Sequence, residues 1–317
     1  MPDFWYIYTM KRLIHFFILI AAALCVSGLV MFPFSGGSIA SFIKTANPLA
    51  VVSLCAFGFA LCSFIFGLIT DDYSWVDRLW STLPVAFVWY YAYRGGFTPA
   101  LCTIAGLVSL WGLRLSFNFA RKGGYTGTED YRWGVLRGKI KNKFLWQIFN
   151  LFFISAYQIG MFVLFTWPVY SVINTGNGFS VFSYISAALC LIFICIEIIA
   201  DQTQWNFHLA KKAARDGKKF PDKYINDVNN GFLSRGLFRF SRHPNYFGEL
   251  GFWWAVWLIA LSLVGNFVQT GFFGPVMLTV LFIPSTIFTE SITGGKYPKY
   301  KEYKARTSPI IPWFAGK

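Results

Sequence analysis

Charge is what this 317-residue sequence has least of. Only 13% of its residues are Asp, Glu, Lys or Arg, about half the share found in an average soluble domain. A chain of this size cannot cover its core for water with so little charge, which excludes an ordinary soluble enzyme. Histidine is scarce: His15, His208 and His243 are too scattered to suggest a metal centre. The six cysteines (Cys25, Cys55, Cys62, Cys102, Cys190, Cys195) show neither CxxC nor mixed Cys/His spacing. No disulfide framework or zinc site is indicated, no metal is expected, and the thiols read as buried and inert. No Gly-x-Gly-x-x-Gly follows a strand-like run, so a soluble dinucleotide-binding fold is excluded. No Asn-x-Ser/Thr sequon argues for lumenal glycosylation.

What the sequence has in abundance is apolar length: 56% hydrophobic and 21% aromatic residues. A membrane helix needs about 20 consecutive, mostly apolar residues, and the chain meets that need repeatedly. The expected fold is all-α, a polytopic membrane helical bundle of about eight spans, with seven as the alternative. They fall near 13–34, 48–69, 79–93, 98–119, 146–172, 179–207, 246–264 and 270–290, the third being short. Gly36-Gly37, Asn47-Pro48, Gly95-Gly96, Thr98-Pro99 and 174–178 punctuate the breaks. The run at 13–34 is longer than a signal-peptide core and lacks a small-residue cleavage site, so it reads as a retained span.

Lysine and arginine set the orientation. With these spans, 25 of the 28 basic residues fall on the side of the N-terminus, leaving Lys44 and Arg94 opposite and Arg114 within the fourth span. Both termini are therefore expected in the cytoplasm. The net charge of +14 suits anionic lipid headgroups. It does not suit nucleic acid, since the basic residues flank membrane spans instead of forming one recognition face.

Ionisable groups inside spans are costly and need a partner or a function. Glu197, Asp201, Gln204 and His208 share one face of the sixth span, and Asn245, Glu249 and Trp253 share one face of the seventh. Two readings follow. The stripes face each other across a cavity open to the cytosol, or they form a packing network with Arg114 as counter-ion to an acid. The connector Lys211–Arg242 ends in Arg235, Arg239 and Arg242, whose planar forks suit phosphate. Pro244 fits the first position of a helix, where the amides favour anions. The 120–145 loop is either a lid over this mouth or a solvated loop. The tail after Lys296 either lies on headgroups or folds back under the site with Glu290.

Ser241-Arg242-His243-Pro244-Asn245-Tyr246-Phe247-Gly248-Glu249 resembles the signature of the steroid 5α-reductase superfamily, in its large branch of uncharacterised membrane proteins. Asp77 to Ser81, Trp111 to Leu115, Glu129 to Arg132, Tyr300 to Tyr303 and Ile311 to Phe314 are similar as well. The resemblance covers roughly 70–317, which divides the chain into N-terminal spans (1–70) and one integrated reductase-like membrane domain (71–317). It implies an enzyme that binds NADPH and reduces a carbon–carbon double bond conjugated to a carbonyl in a lipid, such as a steroid, sterol, polyprenyl or long-chain enoyl compound. Its cofactor pattern matches here at Asp201, Asn245, Tyr246 and Glu249, and Arg242 matches the branch signature. Together with Arg235, Arg239, His243 and Arg114 these form the expected cofactor site, with Glu249 and Tyr246 as candidate catalytic groups. A hydride goes to the β-carbon while a donor polarises the carbonyl oxygen.

The family's usual donors are a glutamate before Leu-Pro and a tyrosine three residues before an arginine. Here Thr82 precedes Leu83-Pro84, and Trp111 precedes Arg114. Tyr90, Tyr91 and Tyr93 are the replacement candidates, or else interfacial anchors. Two alternatives stay open: a non-catalytic lipid-binding or assembly subunit, and a membrane methyltransferase using S-adenosylmethionine, since such enzymes carry a similar Arg-His-Pro-x-Tyr turn. The expected location is a multi-pass site in the endoplasmic reticulum of a eukaryote or the inner membrane of a bacterium. Membrane lipids and a hydrophobic substrate are the expected partners.

Overall fold

Helices begin where the sequence supplies caps. A computed structural model describes residues 37–314; the expected span at 13–34, with Lys11, Arg12, His15 and Cys25, lies outside the described residues. After α1 (Ser38–Thr45), α2 (Pro48–Thr70) starts with Pro48 in its first turn, and the Asn47 side chain accepts from the Leu49 and Ala50 amides at 2.9 and 3.3 Å. These features satisfy end groups that the helix cannot pair internally. Asp71, at φ 52°, closes α2 in the left-handed region. Then come α3 (Trp75–Leu79), α4 (Leu83–Arg94), α5 (Pro99–Arg121), α6 (Tyr131–Lys139) and α7 (Lys143–Ser171). They are followed by α8 (Val181–Arg215), α9 (Ile225–Asn230), α10 (Pro244–Val264), α11 (Phe273–Lys296) and α12 (Tyr300–Arg306). The described residues contain no strand, only an isolated bridge between Ser241 and Ser308.

Among the described residues six helices, α2, α5, α7, α8, α10 and α11, are long and apolar enough to cross a membrane. They match six of the eight expected spans. The third expected span differs: α4 has 12 residues, about 18 Å at 1.5 Å per residue, short of the ~30 Å hydrocarbon core. A turn at 80–82 and Pro84 near its start separate it from α3. In contrast, α8 runs to Arg215, past the expected end at 207. Within α7, Asn150–Tyr157 is wound as a π-helix that stacks Phe149 on Phe153 and Phe153 on Tyr157. Cys190 is buried, but Cys62 and Cys195 lie on exposed helix faces, unlike the expected buried thiols.

The chain divides into two compact units. One reaches to Tyr184 and includes Trp257–Gly274; the other comprises Ile185–Val256 and Pro275–Lys317. In the first, Trp80 packs edge-on against Phe162 at 5.0 Å. Gly112 lets α5 approach the chain at Ser81, since a Cβ there would lie 2.6 Å from the Ser81 carbonyl oxygen.

In the second unit, Gly248 and Gly251 line the face of α10 that meets α8. A Cβ on Gly248 would sit 2.3 Å from Glu197 Cγ and 3.0 Å from the Phe193 carbonyl oxygen, and one on Gly251 would strike the Phe193 ring. Small residues on a contact face let membrane helices come close. Beyond α8 the connector is ordered, not merely looped: Tyr224, Leu233 and Phe238 pack with Ala200, Phe207 and Ala210. The buried Asp227 carboxylate ties its turn by accepting from the Ser234 amide and hydroxyl, both at 2.9 Å.

Candidate functional site

The Ser241–Glu249 segment lies wholly in the second unit, and the end of the chain holds it in place. The Arg242 and His243 amides donate to the carbonyls of Ser308 and Pro309 at 2.8 and 3.1 Å. The Ser241 hydroxyl donates to the Ile310 carbonyl at 2.7 Å, and the Trp313 amide to that of Phe240 at 3.0 Å. Tyr303 donates from its hydroxyl to the Phe238 carbonyl at 2.5 Å. Of the two readings of the tail, the structure has it folded back. Burial pushes the Tyr300 and Tyr303 hydroxyls well above the ordinary tyrosine pKa, so both stay neutral donors.

Arg242 is the centre of this arrangement. Nε and Nη2 form a fork on Glu290, at 2.6 and 3.1 Å, while Nη1 donates to the Lys304 carbonyl at 2.9 Å and to the Thr307 carbonyl. Its planar fork is thus spent on a carboxylate and two tail carbonyls. Glu290, in the last two turns of α11, also receives Lys304 Nζ at 3.0 Å and lies 3.2 Å from His243 Nε2. Three basic groups around one acid leave the cluster cationic. The sequence joined Glu290 to the tail but not to Arg242, its main partner, which lies 48 residues away.

His243 stacks on Tyr246, with ring centroids 4.9 Å apart and planes 16° from parallel. Tyr246 in turn meets the Phe282 ring edge-on at 4.8 Å. One turn further, the buried Glu249 accepts from Trp253 Nε1 at 3.3 Å. Asn245 and Tyr246 are half-buried, and among the described residues neither the Asn245 amide nor the Tyr246 hydroxyl has a hydrogen-bond partner.

Other expected residues are placed as follows. Glu197 and Asp201 are buried on α8, Gln204 is half-buried and His208 is exposed, so the polar stripe emerges from the packed face at its last member. Arg235 donates to the Lys223 carbonyl and lies over the Tyr224 ring at 5.3 Å. Arg239 is exposed.

Arg114 belongs to the first unit. There Thr82 turns its hydroxyl back toward the Leu79 carbonyl at 3.5 Å, and Trp111 is fully buried. Tyr90 donates to the Ile43 carbonyl at 2.9 Å and accepts from Arg94, while the Tyr91 hydroxyl is buried.

The resembling segments near 77 and 130 also meet inside this unit. Trp133 Nε1 donates to Asp77 at 2.8 Å, the Tyr73 amide to Glu129 at 3.0 Å, and the Asp130 amide to the Ser74 hydroxyl at 2.8 Å. Arg78 pairs with Asp72 at 2.8 Å and donates to the Gly124 carbonyl at 3.0 Å. The loop after α5 is thereby tied to the turn after α2.

Comparison with known proteins agrees with this picture. Residues 63–307 match the family described as a protein of unknown function, DUF1295. A relative in Schizosaccharomyces pombe, Uncharacterized protein C594.04c, is 32% identical over 287 residues, covering 87% of this chain and 83% of its own. No solved structure gives a significant match. With its membrane-length helices, the chain belongs to the DUF1295 family, a steroid 5-alpha-reductase-like family.

Proposed function

We propose that the protein is a membrane-embedded oxidoreductase that uses NADPH to reduce a carbon–carbon double bond conjugated to a carbonyl in a lipid. The observation that carries this reading is the turn at the start of α10. A rigidly braced, cationic segment there leads into two polar groups, the Asn245 side-chain amide and the Tyr246 hydroxyl, that have no hydrogen-bond partner among the described residues. Polar groups left accessible in this way are open to hydrogen bonds from a ligand. At this helix start the Asn245 backbone amide is the one left for a phosphate among the described residues, since Pro244 has no N–H and the Tyr246 and Phe247 amides donate to the His243 carbonyl.

When bound, NADPH supplies the hydride for the β-carbon of the enone. Asn245 has both a donor and an acceptor to offer the cofactor, and the Tyr246 hydroxyl offers one of each. Arg239 is the exposed arginine available to phosphate, since Arg242 holds the tail and Arg235 holds Lys223. Glu249 orients the indole of Trp253 and reads as part of the cofactor wall. Among the tyrosines proposed to replace the family's carbonyl-polarising donors, Tyr90 is committed to Ile43 and Arg94. The Tyr91 hydroxyl has no hydrogen-bond partner among the described residues.

A second reading rests on a specific observation. Thr82 and Trp111 stand where the donors are usually found, and both are occupied by packing or by their own backbone. A lipid-binding or assembly subunit of the same fold would look like this. Turnover separates the two: NADPH oxidation dependent on an enone lipid and lost in Glu249→Ala supports the reductase. NADPH binding with no turnover across steroid, polyprenyl and enoyl substrates supports the non-catalytic subunit.

A further inference from the structure

We infer that helix α11 braces the cofactor turn, with Glu290 as a positioning residue that sets the orientation of His243 and, through it, Tyr246. The inference rests on the reading of Ser241–Glu249 as a nucleotide site and adds a residue that lies outside the signature. His243 Nε2 is 3.2 Å from Glu290 Oε1, and its ring lies flat against Tyr246. Tyr246 also meets the Phe282 ring, at 4.8 Å and nearly perpendicular, two turns before Glu290 on the same helix. The stacked pair is therefore held at both ends by α11, with a carboxylate at the histidine and an aromatic edge at the tyrosine.

A simple ion pair would need only one cation on Glu290. Here the oxygen that receives Arg242 Nε also faces His243, and the other takes Arg242 Nη2 and Lys304. Arg242 passes the constraint on, because its Nη1 holds the Lys304 and Thr307 carbonyls of the tail that pairs with 241–243. Neither Glu290 nor Phe282 is assigned a contact with NADPH. Both act through the residues that are.

The test uses the full chain in detergent with two readouts. One is the NADPH dissociation constant; the other is the rate at which diethyl pyrocarbonate modifies His243, followed by mass spectrometry with the exposed His208 as internal reference. Glu290→Gln keeps an acceptor but loses the charge. In that variant His243 modification is expected to rise roughly fivefold through freer local opening. NADPH affinity is expected to fall about tenfold at a temperature where the ligand-free protein is still folded.

Phe282→Leu trims the other end of the brace and should weaken NADPH in the same direction. It stands in for Glu290→Gln if that variant does not fold. Unchanged NADPH affinity in the folded variants would overturn the inference even if stability falls, because a purely structural pair would lower the melting temperature alone. If wild-type protein binds no NADPH, the functional reading fails separately. The His243 rate then decides: unchanged in Glu290→Gln, it overturns the brace as well.

Discussion

Glu290 Oε1 lies 2.6 Å from Arg242 Nε, and with side-chain exposures of 2% and 7% the two form a buried ion pair across 48 residues of sequence. Removing one member of such a pair strands the other without compensation, typically at about 3–5 kcal/mol. Glu290→Ala is expected to destabilise the protein by about 3 kcal/mol on that scale. The double variant Arg242→Met/Glu290→Leu should recover part of the loss, since no buried charge is then stranded and the exposed Lys304 keeps its water. Thermal unfolding in one detergent checks both, and a double variant no better than Glu290→Ala would contradict the pairing.

The glycine seam gives a second expectation. Gly248→Ala would place its Cβ 2.3 Å from Glu197 Cγ and 3.0 Å from a backbone oxygen, so α8 and α10 would have to shift. Overpacking of this kind costs about 1–3 kcal/mol. Gly58→Ala, where a Cβ meets nothing within 4 Å, is the control expected to melt at or above wild type, since Ala suits a helix interior better than Gly. Equal melting of the Gly248 and Gly58 variants would argue against close contact at this seam.

Stability of the loop network depends on pH through Asp77. Burial, and then the neighbouring Asp130 charge, raises the Asp77 carboxyl above its ordinary value of 3.8. A raised acid favours the fold fully below the unfolded value, and that contribution is lost as pH rises through the folded one. Asp77→Asn keeps an acceptor for Trp133 and removes the charge. Its melting temperature should equal that of wild type near pH 4 and exceed it increasingly toward pH 7. A constant offset across that range would mean that Asp77 carries no such penalty.

Much of the architecture was legible in the sequence because membrane spans are written in composition. The helices from Pro48, Pro99, Val181, Pro244 and Phe273 could be placed from long apolar runs and from their Asn-Pro and Thr-Pro starts. The short α4 was harder to read. Its apolar residues continue past the turn at 80–82, and nothing local distinguishes a buried half-length helix from a span.

At the site, the Ser241–Glu249 turn stood out through its proline and its polar residues at helical spacing. The use of Arg242 did not. An arginine beside a helix start looks the same whether its fork meets a phosphate or a carboxylate from a helix 48 residues later. Gly248 and Gly251 were visible as letters, but what they approach, Phe193 and Glu197, is a tertiary fact. His208 fitted the period of its stripe and still emerges exposed, while Phe207 and Ala210 on either side of it carry the packing against the connector.

The central claim is that this turn holds NADPH, and ligand-induced stabilisation tests it most directly. Purified protein would be melted with no ligand, with NADPH and with S-adenosylmethionine, alongside Asn245→Ala. A ligand at 100 times its dissociation constant stabilises the fold by about 2.7 kcal/mol. The expected result is a clear upward shift with NADPH, none with S-adenosylmethionine, and loss of the NADPH shift in Asn245→Ala. A shift with S-adenosylmethionine alone, or an NADPH shift that survives Asn245→Ala unchanged, would contradict it.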